Sequence, residues 1–200
     1  MHASESIVAV GAGPSSGPAD AIASFTPKLE AWEASAAASG RPIGNIDDAA
    51  DSSHLRLLMQ RMNKDGWASE TQDGSAPAPL MGKRTKADGG RMHLSFSPFS
   101  QIVADDHFAI LFQFTPRGAL ETDVEMIWLV NGRATEAEVD IEKMIWGYHA
   151  TTTQDKVITE NNQAGIMSSR YRPGRYSDQE GSVLNFQKWY LNQFGLARAE

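Results

Sequence analysis

The residues able to do chemistry are few enough to weigh one by one. Five histidines are present, His2, His54, His93, His107 and His149, and cysteine is absent. Without thiolates the chain can form no disulfide, no cysteine-ligated zinc site and no cysteine-ligated iron-sulfur cluster of its own. No two histidines stand four or five residues apart, the spacing that would place a pair of metal ligands on one helix. His93 and His107 alternate with apolar neighbours in strand-like runs, so both are expected on exposed faces. His149 follows Tyr148 on a helical stretch and can face either way.

Two glycine-containing segments suggest phosphate binding and fail on spacing. Ile7-Val8-Ala9-Val10-Gly11-Ala12-Gly13-Pro14 runs an apolar strand into a glycine turn. However, Ser16 stands where a dinucleotide-binding loop needs its third glycine, and Pro18 follows directly after Gly17. Gly82-Lys83-Arg84-Thr85 lacks the upstream glycine of a phosphate loop and is expected to be a charged turn.

Asp155 is the most informative acid. Ile141, Met144, Ile145 and Tyr148 repeat at helical spacing, and Asp155 lies seven residues beyond Tyr148, roughly 20° short of two turns at about 100° per residue. It therefore extends the apolar stripe and is expected to face inward. An interior carboxylate must be paired, protonated or metal-bound. The alternatives are that the helix ends before Asp155 or that a lysine or arginine meets it.

The elements that would position these groups can be read along the chain. The first twenty residues and Ala34 to Ser53 are rich in Ala, Gly, Ser and Pro and read as loop. Thr26-Pro27 has the form of a helix start, with Leu29, Trp32 and Ala36 on one face. Leu55, Leu58 and Met59 suggest a second short helix over 54–62. Strands follow, with Met92, Leu94 and Phe96 on one parity, then Phe108, Ile110, Phe112 and Phe114. The turn Thr115-Pro116-Arg117-Gly118 leads to a return strand carrying Leu120, Val124, Met126, Trp128 and Val130 on one face. After Asn131-Gly132 the period changes to about 3.6, predicting a long helix that runs past Glu160. Ser177 to Glu180 forms a capping box for a last helix burying Val183, Phe186, Tyr190 and Phe194. Strands followed by helices predict an α+β domain with a long helix on a curved antiparallel sheet.

At 200 residues and 41% hydrophobic content, the chain suffices for one domain with a real core. A net charge of -7 and a pI near 5.2 argue against nucleic acid or an anionic membrane as partner. Neither an export signal nor a membrane-spanning run is visible, and the cytoplasm is the expected location.

The segment Gln154-Asp155-Lys156-Val157-Ile158-Thr159-Glu160-Asn161-Asn162-Gln163-Ala164-Gly165 resembles the end of the catalytic domain of Rieske non-haem iron oxygenase α subunits. So do Ser169-Arg170-Tyr171-Arg172-Pro173-Gly174 and Phe186-x-x-Trp189-Tyr190-Leu191, farther along. The resemblance is closest to the branch that oxidises glycine betaine, choline and carnitine. Three earlier blocks resemble that branch in the same order: Ala78-Pro79-Leu80-Met81-Gly82, Phe114-Thr115-Pro116-Arg117-Gly118 and Ile127-Trp128-Leu129-Val130. The resemblance covers roughly Arg61 to Phe194, so residues 1–60 are expected to be a loosely held lead-in with one short helix and 61–200 the carboxyl-terminal part of the catalytic domain.

The resemblance implies a helix-grip, START-like sheet packed by a long carboxyl-terminal helix. It implies a mononuclear Fe2+ held by two histidines and a carboxylate, and Asp155 matches the carboxylate. The matching histidines, and the cysteine and histidine pairs that hold the 2Fe-2S cluster, belong to family segments that precede everything seen here. A truncated or divided enzyme, inactive alone, is therefore expected. Tyr148, Thr151 and Thr152, one turn before the ligand, are the candidates for the wall of a small-molecule pocket. A flavin or iron-sulfur reductase and a homotrimeric assembly are the implied partners. The alternative is a non-catalytic helix-grip module binding a small molecule, with Trp128 and Tyr148 as aromatic walls.

Overall fold

The computed structural model describes residues 18–38, 40, 44–47, 55–61, 67–96, 98–177 and 180–196. Its element order is α1 (Pro18–Ala38), β1 (Gly44–Asp47), β2 (Leu55–Arg61), β3 (Gly90–Phe96), β4 (Ser100–Ala104), β5 (Ala109–Pro116) and β6 (Thr122–Leu129). A short 3-10 turn (Glu136–Glu138), α2 (Ile141–Ile166) and α3 (Gly181–Gln193) follow. The six strands form one antiparallel sheet in the order β1-β2-β3-β4-β5-β6. The arrangement is α+β, as expected.

Three expectations for the first third of the chain are corrected. Residues 55–61 form strand β2, not a helix. The run Leu-Arg-Leu-Leu-Met suits either periodicity when short, and pairing with β3 from Leu55↔Phe96 to Arg61↔Gly90 decides it. Strand β1 lies within the stretch read as loop. Helix α1 starts at Pro18, a favoured first-turn position, and carries Pro27 in its interior. The face Leu29, Trp32 and Ala36 was read correctly: Trp32 and Ala36 are buried and Leu29 half-buried, and α1 packs near β2. The motif Ile7 to Pro14, together with His2 and His54, lies outside the described residues.

Strand pairing sets which side chains share a face. His93, Val103, Ile110 and Trp128 stand in one row across β3 to β6, and Ser95, Gln101, Phe112 and Met126 in the next. The core is on this side: Val103, Phe108, Ile110, Phe112 and Met144 of α2 form its buried cluster, with Phe114, Met126, Trp128, Val130, Val139 and Tyr148 against it. In β3 the core side therefore carries Arg91, His93 and Ser95, while Met92, Leu94 and Phe96 point to the opposite face with Ile102, Leu111 and Ile127. This reverses the expectation for His93. Both faces of β3 are half-buried, so its alternation did not reveal which one meets the helix.

The loops around the sheet are tied by charge-assisted bonds. Asp106 is wholly buried and accepts from the backbone N–H of Asp88 (2.7 Å) and Gly89 (2.8 Å), and from the Arg84 guanidinium. Gly82-Lys83-Arg84-Thr85 is thus a turn that anchors a buried carboxylate. Asp105 accepts from His107 N, Phe108 N and the Ser69 hydroxyl, fixing the β4–β5 connection. His107 is buried there, against expectation, with Nδ1–H donating to Ala78 O at 2.8 Å. The β5–β6 turn lies where Thr115-Pro116-Arg117-Gly118 predicted it and is closed by an Arg117–Asp123 ion pair of 2.6 Å.

Candidate functional site

Helix α2 begins at Asp140, whose side chain accepts from Lys143 N (3.0 Å) while its own N–H donates to Pro77 O (2.8 Å). This double tie fixes the helix start against the loop before β3. The first turns then meet the sheet: Met144 is buried, and Ile145, Tyr148 and Thr152 are half-buried. Ile141, at the head of the stripe, is 63% exposed.

Tyr148 is the centre of the polar cluster at this interface. Its ring lies 6.0 Å from that of Phe112, and its hydroxyl accepts from Arg91 Nη2 at 2.6 Å. Arg91 Nη1 donates to Glu70 at 2.9 Å, and the guanidinium carbon sits 5.8 Å from the centre of the Tyr148 ring. Burial pushes the Tyr148 phenol well above the ordinary range. Arg91 opposes that shift and Glu70 adds to it. Among the described residues, two N–H donors of this interface, Arg91 Nε and Trp128 Nε1, are buried without a hydrogen-bond partner. Arg91 and Glu70 were not singled out from the sequence. The signal was there in the polar parity Arg91, His93 and Ser95, had that parity been taken as the interior one.

Of the expected pocket residues, Tyr148 and Thr152 lie on the sheet side of α2, while Thr151 is exposed. Both threonine hydroxyls are spent on the helix itself, Thr151 Oγ1 on Gly147 O (3.0 Å) and Thr152 Oγ1 on Tyr148 O (2.6 Å). His149 is exposed.

Asp155 projects from the helix into solvent, not into the interior. The angular argument holds, since the helix is continuous to Ile166. What ends is the cover. Asp155 lies about 21 Å along the helix from Ile141 at 1.5 Å per residue, and every residue from Thr153 to Asn162 is exposed. The last helix departs from expectation in the same way. Just before the helix the Glu180 carboxylate accepts from Ser177 N (2.6 Å), and this contact holds it below the usual range. Yet Val183, Phe186 and Phe194 are exposed, and the rings of Phe186, Trp189, Tyr190 and Phe194 neighbour one another, Phe186 stacked on Tyr190 and Phe194 edge-on to Tyr190.

An iron of the kind the resemblance implies needs three protein ligands around an open site. Among the described residues no group of three histidine, aspartate or glutamate side chains can hold a metal, and Asp155 stands exposed. The described residues do not fit the ion.

Comparison of the sequence with known proteins places the chain in a defined class. Residues 29–195 match the family described as ring hydroxylating alpha subunit (catalytic domain), and the chain belongs to that family. It is similar to the glycine betaine monooxygenase oxygenase subunit of Pseudomonas aeruginosa strain UCBPP-PA14, 35% identical over 184 residues, covering 88% of this chain and 40% of the relative. The subunit of the same name from Chromohalobacter salexigens is 38% identical over 130 residues, covering 63% of this chain and 29% of the relative. The chain thus spans about two-fifths or less of the length of these relatives. Among the described residues no helix is long and apolar enough to cross a membrane.

Proposed function

We propose that the chain supplies the carboxyl-terminal part of the catalytic domain of an iron-dependent oxygenase subunit that hydroxylates or demethylates a small quaternary ammonium substrate. The observation that carries this reading is the family match over residues 29–195, joined to relatives named for glycine betaine. In this reading the sheet with α2 against one face is the helix-grip form of the fold, and Asp155 is the carboxylate that would contribute to the iron site once two histidines are supplied. The working enzyme would take electrons from a flavin or iron-sulfur reductase through a 2Fe-2S cluster, as a cytoplasmic homotrimer. The chain by itself is expected to hold Fe2+ weakly and to show no turnover, because one exposed carboxylate leaves a metal mostly solvated.

The test joins the segment of the Pseudomonas relative that precedes the matched region to this chain. Glycine betaine-dependent oxygen uptake that disappears in Asp155→Asn is expected, with reductase supplied. A folded chimera that takes up stoichiometric iron yet turns over no quaternary ammonium compound would sink the reading.

A second reading, a non-catalytic small-molecule-binding module, draws on the mixed polar and aromatic surface between α2 and the sheet. It requires that the chain bind its ligand without iron and that the chimera gain no activity from it.

A further inference from the structure

The last strand of the sheet is the longer of its two edges. β6 spans eight residues, against four in β1 at the other end of the order. The direction of its main-chain groups follows from the hairpin. Arg117 N donates to Glu121 O, and bonded positions in an antiparallel pair then recur at every second residue. Asp123, Glu125, Ile127 and Leu129 are therefore bonded to β5, while Thr122, Val124, Met126 and Trp128 direct their N–H and C=O away from it. Among the described residues no strand lies beyond them.

Open edges are normally guarded by lysine, proline, a bulge or a very short strand. Thr122–Leu129 contains neither lysine nor proline and pairs with β5 at all eight positions. Of its two acids, Asp123 already meets Arg117. Burial points to the same edge. On the face away from α2, Leu94, Ile102 and Leu111 are half-buried, whereas Ile127 and Leu129 are exposed, as is Val124 on the other face. The uncovered end of the sheet is at β6.

A second copy fits this edge poorly. In the antiparallel self-pairing that joins the outward groups over the whole strand, Thr122 meets Trp128 and Val124 meets Met126. Glu125 then lies opposite Glu125, and like charges so placed are destabilising. The relatives, by contrast, hold a large supply of further chain, since this one covers 40% of the Pseudomonas subunit.

We propose that the β6 edge is the docking site for an extended segment of the complete oxygenase subunit that lies outside this chain, added as one more strand. Main-chain bonds to Thr122, Val124, Met126 and Trp128 supply the affinity. A lysine or arginine opposite Glu125 and an apolar residue opposite Ile127 fix the register. The proposal rests on the reading of the chain as part of a longer subunit and deepens it by locating where the remainder attaches.

Amide hydrogen exchange tests this, read residue by residue in the chain alone and in the chimera with the Pseudomonas segment. In the chain alone the N–H groups of Val124, Met126 and Trp128 are expected to exchange about tenfold or more faster than those of Glu125 and Ile127. In the chimera that difference should vanish. Val124→Pro removes an outward donor that β5 does not use, and edge strands tolerate proline at such positions. The chain should stay folded with it, while the chimera loses the protection of Met126 and Trp128. Glu125→Lys, which leaves the backbone intact, should reduce the same protection. Outward amides that exchange as fast in the chimera as in the chain alone would overturn the proposal. So would protection already present in the chain alone: a second copy would account for it if it rises with protein concentration, and this chain's own remaining residues if it does not. A chimera active on glycine betaine with these amides unprotected would sink the docking edge and keep the oxygenase reading. An inactive chimera with them protected would do the reverse.

Discussion

Arg91 and Tyr148, 57 residues apart in the chain, are joined across the interface between β3 and α2 by one short hydrogen bond, Nη2 to the phenol oxygen at 2.6 Å. The bond sets the rotation of α2 about its axis at the turn that leads toward Asp155. A charged donor in a half-buried place also makes it costly to lose.

Tyr148→Phe should therefore destabilise the chain by about 1–2 kcal/mol, the range for stranding a partly buried donor, as measured by urea unfolding. The pH dependence follows from the sign of the shift. The folded phenol titrates above its ordinary 10.0, so its contribution is complete below that pH and is lost as pH rises through the folded value. Ultraviolet titration should find one of the four tyrosines ionising only with unfolding. Four tyrosines titrating together in the folded chain would contradict this.

Met144 and Ile141 occupy the same predicted stripe but opposite environments, at 5% and 63% exposure. Met144→Ala should cost about 2–5 kcal/mol, as for other buried large-to-small changes, and Ile141→Ala should stay within about 0.5 kcal/mol. Equal effects in thermal unfolding would mean that the helix is rotated from the position described.

Asp106→Ala should be among the most damaging single changes, about 3–5 kcal/mol, because it strands Arg84 and two backbone donors around a buried carboxylate. Burial raises the folded pKa of Asp106 above 3.8, while Gly89, Asp88 and Arg84 pull the other way. With the folded value raised, the stability tied to this proton is complete below 3.8 and declines as pH rises through the folded value. Asp106→Asn, which cannot titrate, should remove that slope from the dependence of the urea midpoint on pH.

Asp155→Asn in the isolated chain should leave the unfolding midpoint within about 0.5 kcal/mol of wild type, since an exposed side chain away from special contacts contributes little. A large stabilisation would indicate that the carboxylate is desolvated, contrary to its exposed position.

How much of this was legible in the sequence depended on whether one face of an element was clearly wet. The strands with Ile110, Phe112 and Phe114 and with Met126 and Trp128 have the predicted parity, because polar residues, Gln113 and Thr115 in the first and Asp123 and Glu125 in the second, alternate with them. β3 was misread because neither of its faces is fully exposed, so its apolar parity turned out to face away from the helix. The helix expected over 54–62 is strand β2 at 55–61 because so short a run of apolar and polar residues fits both periods, and only a neighbouring strand decides between them. For Asp155 the helical phase was right and its surroundings were not. Phase is a local property of the chain, whereas burial depends on which other segments lie alongside.

The sheet order, in which each strand pairs with its neighbours in sequence, also bears on how the chain reaches this structure. Every pairing forms by closing a loop between consecutive segments, and no strand has to be threaded between two others. The β5–β6 hairpin needs only the short turn from Arg117 to Glu121, whereas β2 and β3 must close a loop of nearly thirty residues. Closure entropy grows slowly with loop length, by about 0.6 kcal/mol per doubling. Assembly is then expected to start at the β5–β6 hairpin and spread toward β3, with β1 and β2 joining last. A meander of this kind is expected to fold fast for its strand content, and the edge at β1, held to β2 by four residue pairs, is where unravelling is expected to begin.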